Sequence, residues 1–294
     1  MFLQLLANGL VTGSVIAIAA VGVSVVYGIL RIVNFAYGDV MAFGAFTAWL
    51  CNVTWHLPLV LSVVLAMAAT ALLSVLFELV LWRPLRRRQA GFTSLFLASI
   101  GLALVLREGI FLGWGPQPRE YRIDPYKVYV IGSVRLSGAQ GAAIVVAAVS
   151  IVLVALMLAR TDLGRAMRAM SDDRTLAQVA GMDTRRIIMA TWILTGALAA
   201  LAGVLFGLVE SSFDPNFGFQ QLLPIFAAVV LGGIGSAYGA LIGGLALGLA
   251  MELSTWSGFA GGVNPVYKPV VAFALLIVAL LLRPQGLFGR ARTA

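Results

Sequence analysis

Val229-Val230-Leu231-Gly232-Gly233-Ile234-Gly235-Ser236-Ala237-Tyr238-Gly239 sits in the middle of an apolar run that extends from 222 to 253. Read as one straight helix, the run crosses a bilayer once. Read as two short helices joined by a reversal at the glycines, it crosses twice. The choice fixes the side of the membrane on which every later segment lies, so the rest of the chain has to decide it.

The run is one of many. Of 294 residues, 61% are hydrophobic and 11% charged, against about 45–50% and about 25% in soluble domains. A water-exposed surface needs charge that this chain does not carry, so its solvent is lipid. A crossing helix needs about 20 apolar residues, fewer where it is discontinuous. On that measure the segments are 3–30, 40–51, 58–82, 93–114, 138–159, 187–209, 222–234, 238–253 and 269–282. The first begins without a positive region and is too long for a signal-peptide core, so it is read as a span rather than a cleaved leader.

Arginine sets the orientation, because positive charge accumulates in cytoplasmic loops. The net charge is +8, and Lys127 and Lys268 are the only lysines among 20 basic residues. Arg83, Arg86, Arg87 and Arg88 form one cluster, 160–186 holds a second, and Arg283, Arg290 and Arg292 form a third. These charges occupy short loops between apolar runs, which speaks for membrane topology and against nucleic acid as a partner. With all three clusters inside, the loop 115–137 is external. An even number of crossings must then separate 160–186 from the tail, and four fit only if 222–253 turns back on itself. The same parity puts the N-terminus outside and the C-terminus in the cytoplasm. The expectation is an all-α polytopic membrane protein, one transmembrane domain over 1–294, with eight to nine transmembrane segments, some short or discontinuous.

Catalysis has little to build on. Cys51 is the sole cysteine, without an intrachain disulfide partner, and His56 the sole histidine. A metal site takes three or four ligands, and a Ser-His or Cys-His nucleophile needs an oriented imidazole. No catalytic residue, metal or cofactor is expected, and His56 reads as an interfacial loop residue. There is no G-x-x-x-x-G-K-[ST] phosphate loop, so ATP is not bound in that way. The chain of buried Asp, Glu and His expected of a proton-coupled pump is also missing.

Irregular backbone at membrane depth is tolerated where it lines a cavity or is buried in protein. Two stretches qualify: 34–39, with Asn34 and Asp39, and 232–239, with Gly232, Gly233, Gly235 and Ser236. Half-helix ends there offer free N–H and C=O groups to a polar solute. For Asn34 and Asp39 two readings stand, the lining of a pathway or a plain cytoplasmic turn. Gly239, Gly243 and Gly244 read as close helix packing. Arg107 and Glu108 are adjacent and do not face each other; they read as snorkelling to the outer interface. Glu78, one turn before the first arginine cluster, reads as interfacial, and Glu210 and Asp214 as external groups open to a partner or substrate.

The loop 160–186 is the most specific feature. Ser171 is placed to cap a short helix, with Asp172 and Asp173 at its positive end. Leu176, Val179 and Ala180 give that helix an apolar face, and Gly181 can stop it. An exposed apolar face on a cytoplasmic helix asks for a protein partner. The competing reading lays the helix on the membrane with its arginines on anionic lipid.

Three ordered stretches then carry a resemblance. They are Ile32-Val33-Asn34-Phe35-Ala36-Tyr37-Gly38-Asp39, the loop from Thr161-Asp162-Leu163-Gly164-Arg165-Ala166 through Ala180-Gly181-Met182, and Val230-Leu231-Gly232-Gly233-Ile234-Gly235-Ser236. Together they resemble the branched-chain amino acid ABC importer permeases, and the chain looks like the shorter of that family's two permease subunits, nearly end to end. The resemblance implies a permease domain in the bacterial inner membrane, driven by ATP hydrolysed elsewhere. Implied partners are a second permease subunit, two cytoplasmic ATPase subunits and a periplasmic solute-binding protein, besides membrane lipid. It implies that 160–186 is a coupling loop, whose helix with Asp172, Asp173, Leu176, Val179, Ala180 and Gly181 docks on an ATPase. The implied cargo is branched-chain or other hydrophobic amino acids, or, as in other family members, urea, short amides or aromatic acids. A passive channel or secondary transporter, which needs no ATPase, is the reading from another class.

Overall fold

A computed structural model of the chain describes residues 2–123, 128–131, 134–256, 262–283 and 286. The helices in chain order are α1 (Phe2–Leu30), α2 (Tyr37–Trp49), α3 (Leu59–Phe77), α4 (Arg83–Arg87), α5 (Phe92–Trp114), α6 (Gly138–Arg160), α7 (Asp162–Asp172), α8 (Arg174–Val179), α9 (Thr184–Glu210), α10 (Phe217–Gly232), α11 (Ala237–Leu253) and α12 (Lys268–Leu282). π-Helical turns over Leu50–Thr54 and Glu78–Trp82 extend α2 and join α3 to α4. Among the described residues, six helical stretches are long and apolar enough to cross a membrane: 2–30, 59–87, 92–114, 138–160, 184–210 and 265–282. α10 and α11 are shorter apolar helices of 16 and 17 residues.

The stretch 222–253 is two helices. α10 ends at Gly232, and Gly233 and Gly235 take φ values of 105° and 87°, which glycine alone adopts without strain. The Ser236 hydroxyl then accepts the Gly239 N–H at 3.1 Å and starts α11. The halves touch at backbone distance: a Cβ on Gly232 would lie 2.0 Å from the Gly239 carbonyl oxygen, and one on Gly243 2.2 Å from that of Ala228. Glycine here both turns the chain and lets its two arms close.

α1 is the hub. From Val11 to Leu30 it is buried almost without interruption, as a helix apolar all round must be. Its longest contact is with α11, through glycines on both helices. A Cβ on Gly248 would lie 2.2 Å from Gly13 Cα, and one on Gly244 2.5 Å from Ala17 Cα. Lipid gives apolar helices no hydrophobic reason to associate, so small residues that admit backbone contact supply the dispersion energy instead. α9 packs on α3, α1 and α2 around this hub. α5, α6 and α12 lie outside it, with only 17%, 22% and 6% of their apolar windows buried.

Several boundaries differ from expectation. α2 begins at Tyr37 instead of 40, α9 at Thr184 instead of 187, and α10 at Phe217 instead of 222. In α9 the Asp183 carboxylate accepts the N–H groups of Arg185 and Arg186, and this cap extends the helix into its arginines. The loop that follows α5 departs from an all-helical reading. β1 (Val128–Ile131) and β2 (Val134–Ser137) pair antiparallel, and Ser137 with Gln140 closes a capping box on α6.

Gly248→Leu forces α1 and α11 apart and costs about 3 kcal/mol, read as a lowered melting midpoint of the detergent-solubilised protein. Gly109→Leu on α5, where a Cβ meets nothing within 4 Å, leaves the midpoint unchanged.

Candidate functional site

Asp39 lies in the first turn of α2 and is fully buried. Both of its oxygens accept from one guanidinium, that of Arg107 on α5, with Nε at 3.0 Å and Nη2 at 3.1 Å. The guanidinium also stands 4.3 Å from the centre of the Phe219 ring on α10. One arginine thus ties three helices together at membrane depth. The expectation that Arg107 snorkels to the outer interface is wrong: a buried carboxylate draws it inward. A bidentate pair is the strong form of an ion pair, yet desolvation consumes most of its worth as a source of stability. Charges kept at this depth mark function more often than structure.

The pair reaches the subunit surface. The Arg107 side chain is 13% exposed, and Glu108 beside it is exposed among exposed Leu104, Val105 and Leu112. A charge against lipid at this level costs about 2.5–3.5 kcal/mol. Water or another protein is a better neighbour for this face of α5.

Asn34 is buried too, so it does not stand in an exposed turn. Its side-chain oxygen accepts the Ala36 N–H at 3.1 Å, an Asx turn that bends the chain between α1 and α2. With Tyr37, Ser74, Trp82 and Trp192 it borders a cavity of about 10 Å³, room for about one water.

Two of the stretches singled out in the sequence meet the end of α1, just before the third, at one end of the bundle. Arg31 Nη2 donates to the Ser171 carbonyl at 2.8 Å. A Cβ on Gly28 would lie 3.2 Å from the Gly235 carbonyl oxygen and 3.4 Å from Ser171 Oγ. The end of α7 and the reversal at Gly235 therefore both rest against the last turn of α1.

The loop 160–186 contains two helices rather than one. Thr161 caps α7 through the Gly164 N–H at 3.0 Å. Asp173 caps α8 through the Thr175 and Leu176 N–H groups at 2.7 and 3.0 Å. Ser171 lies inside the last turn of α7 and caps nothing, because the chain breaks at Asp173, whose φ is −148°. α7 is anchored by buried Met167 and Met170, and α8 by buried Ala177. Leu176 and Val179 are 67% and 82% exposed. Asp172, Asp173, Ala180 and Gly181 are exposed as well, and Gly181, at φ 81°, ends the segment.

At the same end of the bundle, Glu78 is buried rather than interfacial. It pairs with Arg86 and accepts the Trp192 indole N–H at 2.8 Å. Trp192 stacks on Trp82, with ring centres 5.9 Å apart and planes 8° from parallel.

At the opposite end the loop that follows α5 is laced to the bundle. Arg119 and Phe213 exchange backbone hydrogen bonds, and Arg122 N–H donates to Asn52 Oδ1 at 2.8 Å. The Tyr121 hydroxyl donates to the Ala45 carbonyl at 3.0 Å, and burial pushes its phenol well above the ordinary tyrosine range. His56 sits in its loop beside Arg122, 3.0 Å from Nη1. Among the described residues, no three His, Cys, Asp or Glu side chains stand close enough to hold a metal ion.

Residues 5–280 match the family described as branched-chain amino acid transport system / permease component. The high-affinity branched-chain amino acid transport system permease protein BraD of Pseudomonas aeruginosa is 34% identical, covering 98% of this chain and 96% of that protein. The corresponding protein LivH of Escherichia coli K12 is 32% identical over 98% and 96%. Among solved structures, PsaBC from Streptococcus pneumoniae in complex with Fab matches with a TM-score of 0.50 and 13% identity, covering 98% of this chain and 94% of that one. This last likeness concerns the fold alone.

Removing one partner of the Asp39–Arg107 pair strands a buried charge, so Arg107→Gln costs about 3 kcal/mol. Asp39→Asn costs a similar amount, and the double variant falls short of the sum by about 2 kcal/mol. Thermal denaturation of the four proteins in detergent measures this coupling.

Proposed function

Since the chain belongs to the branched-chain amino acid transport permease family, we propose that it is the shorter membrane subunit of an ATP-driven importer for branched-chain or related hydrophobic amino acids. It is a multi-pass protein of the bacterial inner membrane, and ATP is hydrolysed by partner subunits. The observation that carries the reading beyond family membership is the charge at membrane depth on the outer face of α5. Asn34 borders a cavity with room for about one water, whereas Arg107 and Glu108 reach the surface. The translocation path then runs along this face, closed on its other side by a second permease subunit. Asp39 contributes by holding Arg107, and Asn34 by holding the bend before α2.

Coupling has a place in the same reading. With the arginine-rich end in the cytoplasm, α8 offers Leu176 and Val179 to an ATPase, and Asp172, Asp173, Ala180 and Gly181 frame that surface. A push on α7 passes through Ser171 to Arg31 and Gly28 at the end of α1, against which Gly235 also rests. Gly232, Gly233, Gly235 and Ser236 therefore act as the hinge at the cytoplasmic mouth. A periplasmic solute-binding protein meets the external loop 115–137 at the other end. A passive channel has no use for an exposed apolar helix at α8.

Reconstituted with a second permease, two ATPase subunits and a binding protein, the chain is expected to support leucine uptake that stops when ATP is omitted; uptake without ATPase subunits would favour the channel reading. Leu176→Asp/Val179→Asp lowers uptake at least tenfold and releases the ATPase on purification, while the second permease stays bound. A reporter fused after Ala294 reads as cytoplasmic; a periplasmic result would overturn the orientation.

A further inference from the structure

The arginine cluster that follows α3 does more than set topology. Arg83, Arg86 and Arg87 from α4, Arg174 from α8 and Arg185 from α9 line one cleft of about 240 Å³. Among the described residues the only acidic side chain lining it is Glu78, already committed to Arg86 and to the Trp192 indole. Arg86 Nη1 is buried and has no hydrogen-bond partner. Five guanidiniums around one spent carboxylate, with a buried N–H left over, form a receptor for an anion that brings several acceptor oxygens.

The rest of the wall says which anion. Thr184, Ile188 and Met189 complete the lining. One turn beyond them Ile193 is exposed, and one turn before Arg83 so is Leu79, with Val80 and Leu76 beside it. The cleft therefore lies at the charged end of the outward-facing apolar surface of α3, beside Ile193 as the exposed apolar residue of α9, where a bilayer passes from headgroup to hydrocarbon. Basic pockets between helices on the cytoplasmic side suit phosphate headgroups. We propose that this cleft binds one anionic phospholipid, its phosphate held by Arg83, Arg86, Arg87 and Arg185 and its acyl chains along Leu79 and Ile193. Arg174 is the first residue of α8, so the bound headgroup ties the loop 160–186 to the ends of α3 and α9. The lipid thereby fixes α8 in place on the bundle.

The test uses the complete transporter in nanodiscs of phosphatidylcholine doped with phosphatidylglycerol, followed by exchange into neutral detergent and native mass spectrometry. Phosphatidylglycerol is expected to be retained about tenfold over phosphatidylcholine. Arg83→Gln/Arg87→Gln/Arg185→Gln abolishes the preference, the matching triple lysine variant keeps part of it, and Arg160→Gln/Arg168→Gln, outside the cleft, leaves it intact. Equal retention by the triple glutamine variant would overturn the proposal. Displacement of the lipid by inorganic phosphate would mean that the cleft recognises the free anion instead. Lipid that is retained by the permease pair but lost once the ATPase subunits join would assign the cleft to a protein partner.

Discussion

In lipid, helices gain nothing by hiding apolar surface from one another, and this protein answers by bringing backbones into contact. Gly13 against Gly248 and Ala17 against Gly244 close α1 onto α11, while Gly232 against Gly239 closes α11 onto α10. Side chains beyond a methyl group at these points would separate the helices and leave the central helix without neighbours. Because α1 is enclosed on all sides, the remaining helices arrange themselves around it. α9 and α2 complete the inner layer, and α3, α5, α6 and α12 are left with mostly open faces.

The cavity beside Asn34 in this interior has room for about one water and none for a solute. Function is therefore displaced to the edges, and the charges follow. Asp39 is held inside by the inner layer, but its partner Arg107 comes from a peripheral helix and carries the charge to the surface beside Glu108. At one end of the bundle the end of α7 and the irregular backbone at Gly235 both rest against the last turn of α1. On the proposed function, a subunit built in this way is half of a path with a lever attached, and other chains complete both.

Much of this was legible in the sequence, for physical reasons. The reversal followed from charge parity, since each arginine cluster needs a cytoplasmic side and a helix has only two ends. The packing role of Gly239, Gly243 and Gly244 followed from residue size. The exposed apolar face of α8 followed from Leu176 and Val179. What stayed hidden depends on spacing that no local pattern encodes. Asp39 and Arg107 are 68 residues apart, and nothing in either neighbourhood announces the other. Glu78 begins a π-helical turn, which shifts Trp82 and Arg86 after it out of the register that a regular helix would give them. Ser171 and Asp173 are both good caps, and the backbone chose the aspartate. The β-hairpin lay in a loop that hydropathy treats as empty.

The central claim is that the face of α5 bearing Arg107 and Glu108 looks onto water along a shared path rather than onto lipid. Cys51 is the sole cysteine and is buried, so Glu108→Cys in a Cys51→Ser background gives one reactive thiol at the point in question. Its labelling by a membrane-impermeant thiol reagent in the assembled transporter is the most direct measurement. The account predicts rapid labelling that transported amino acid slows. Labelling only by lipid-soluble reagents, unaffected by substrate, would contradict it.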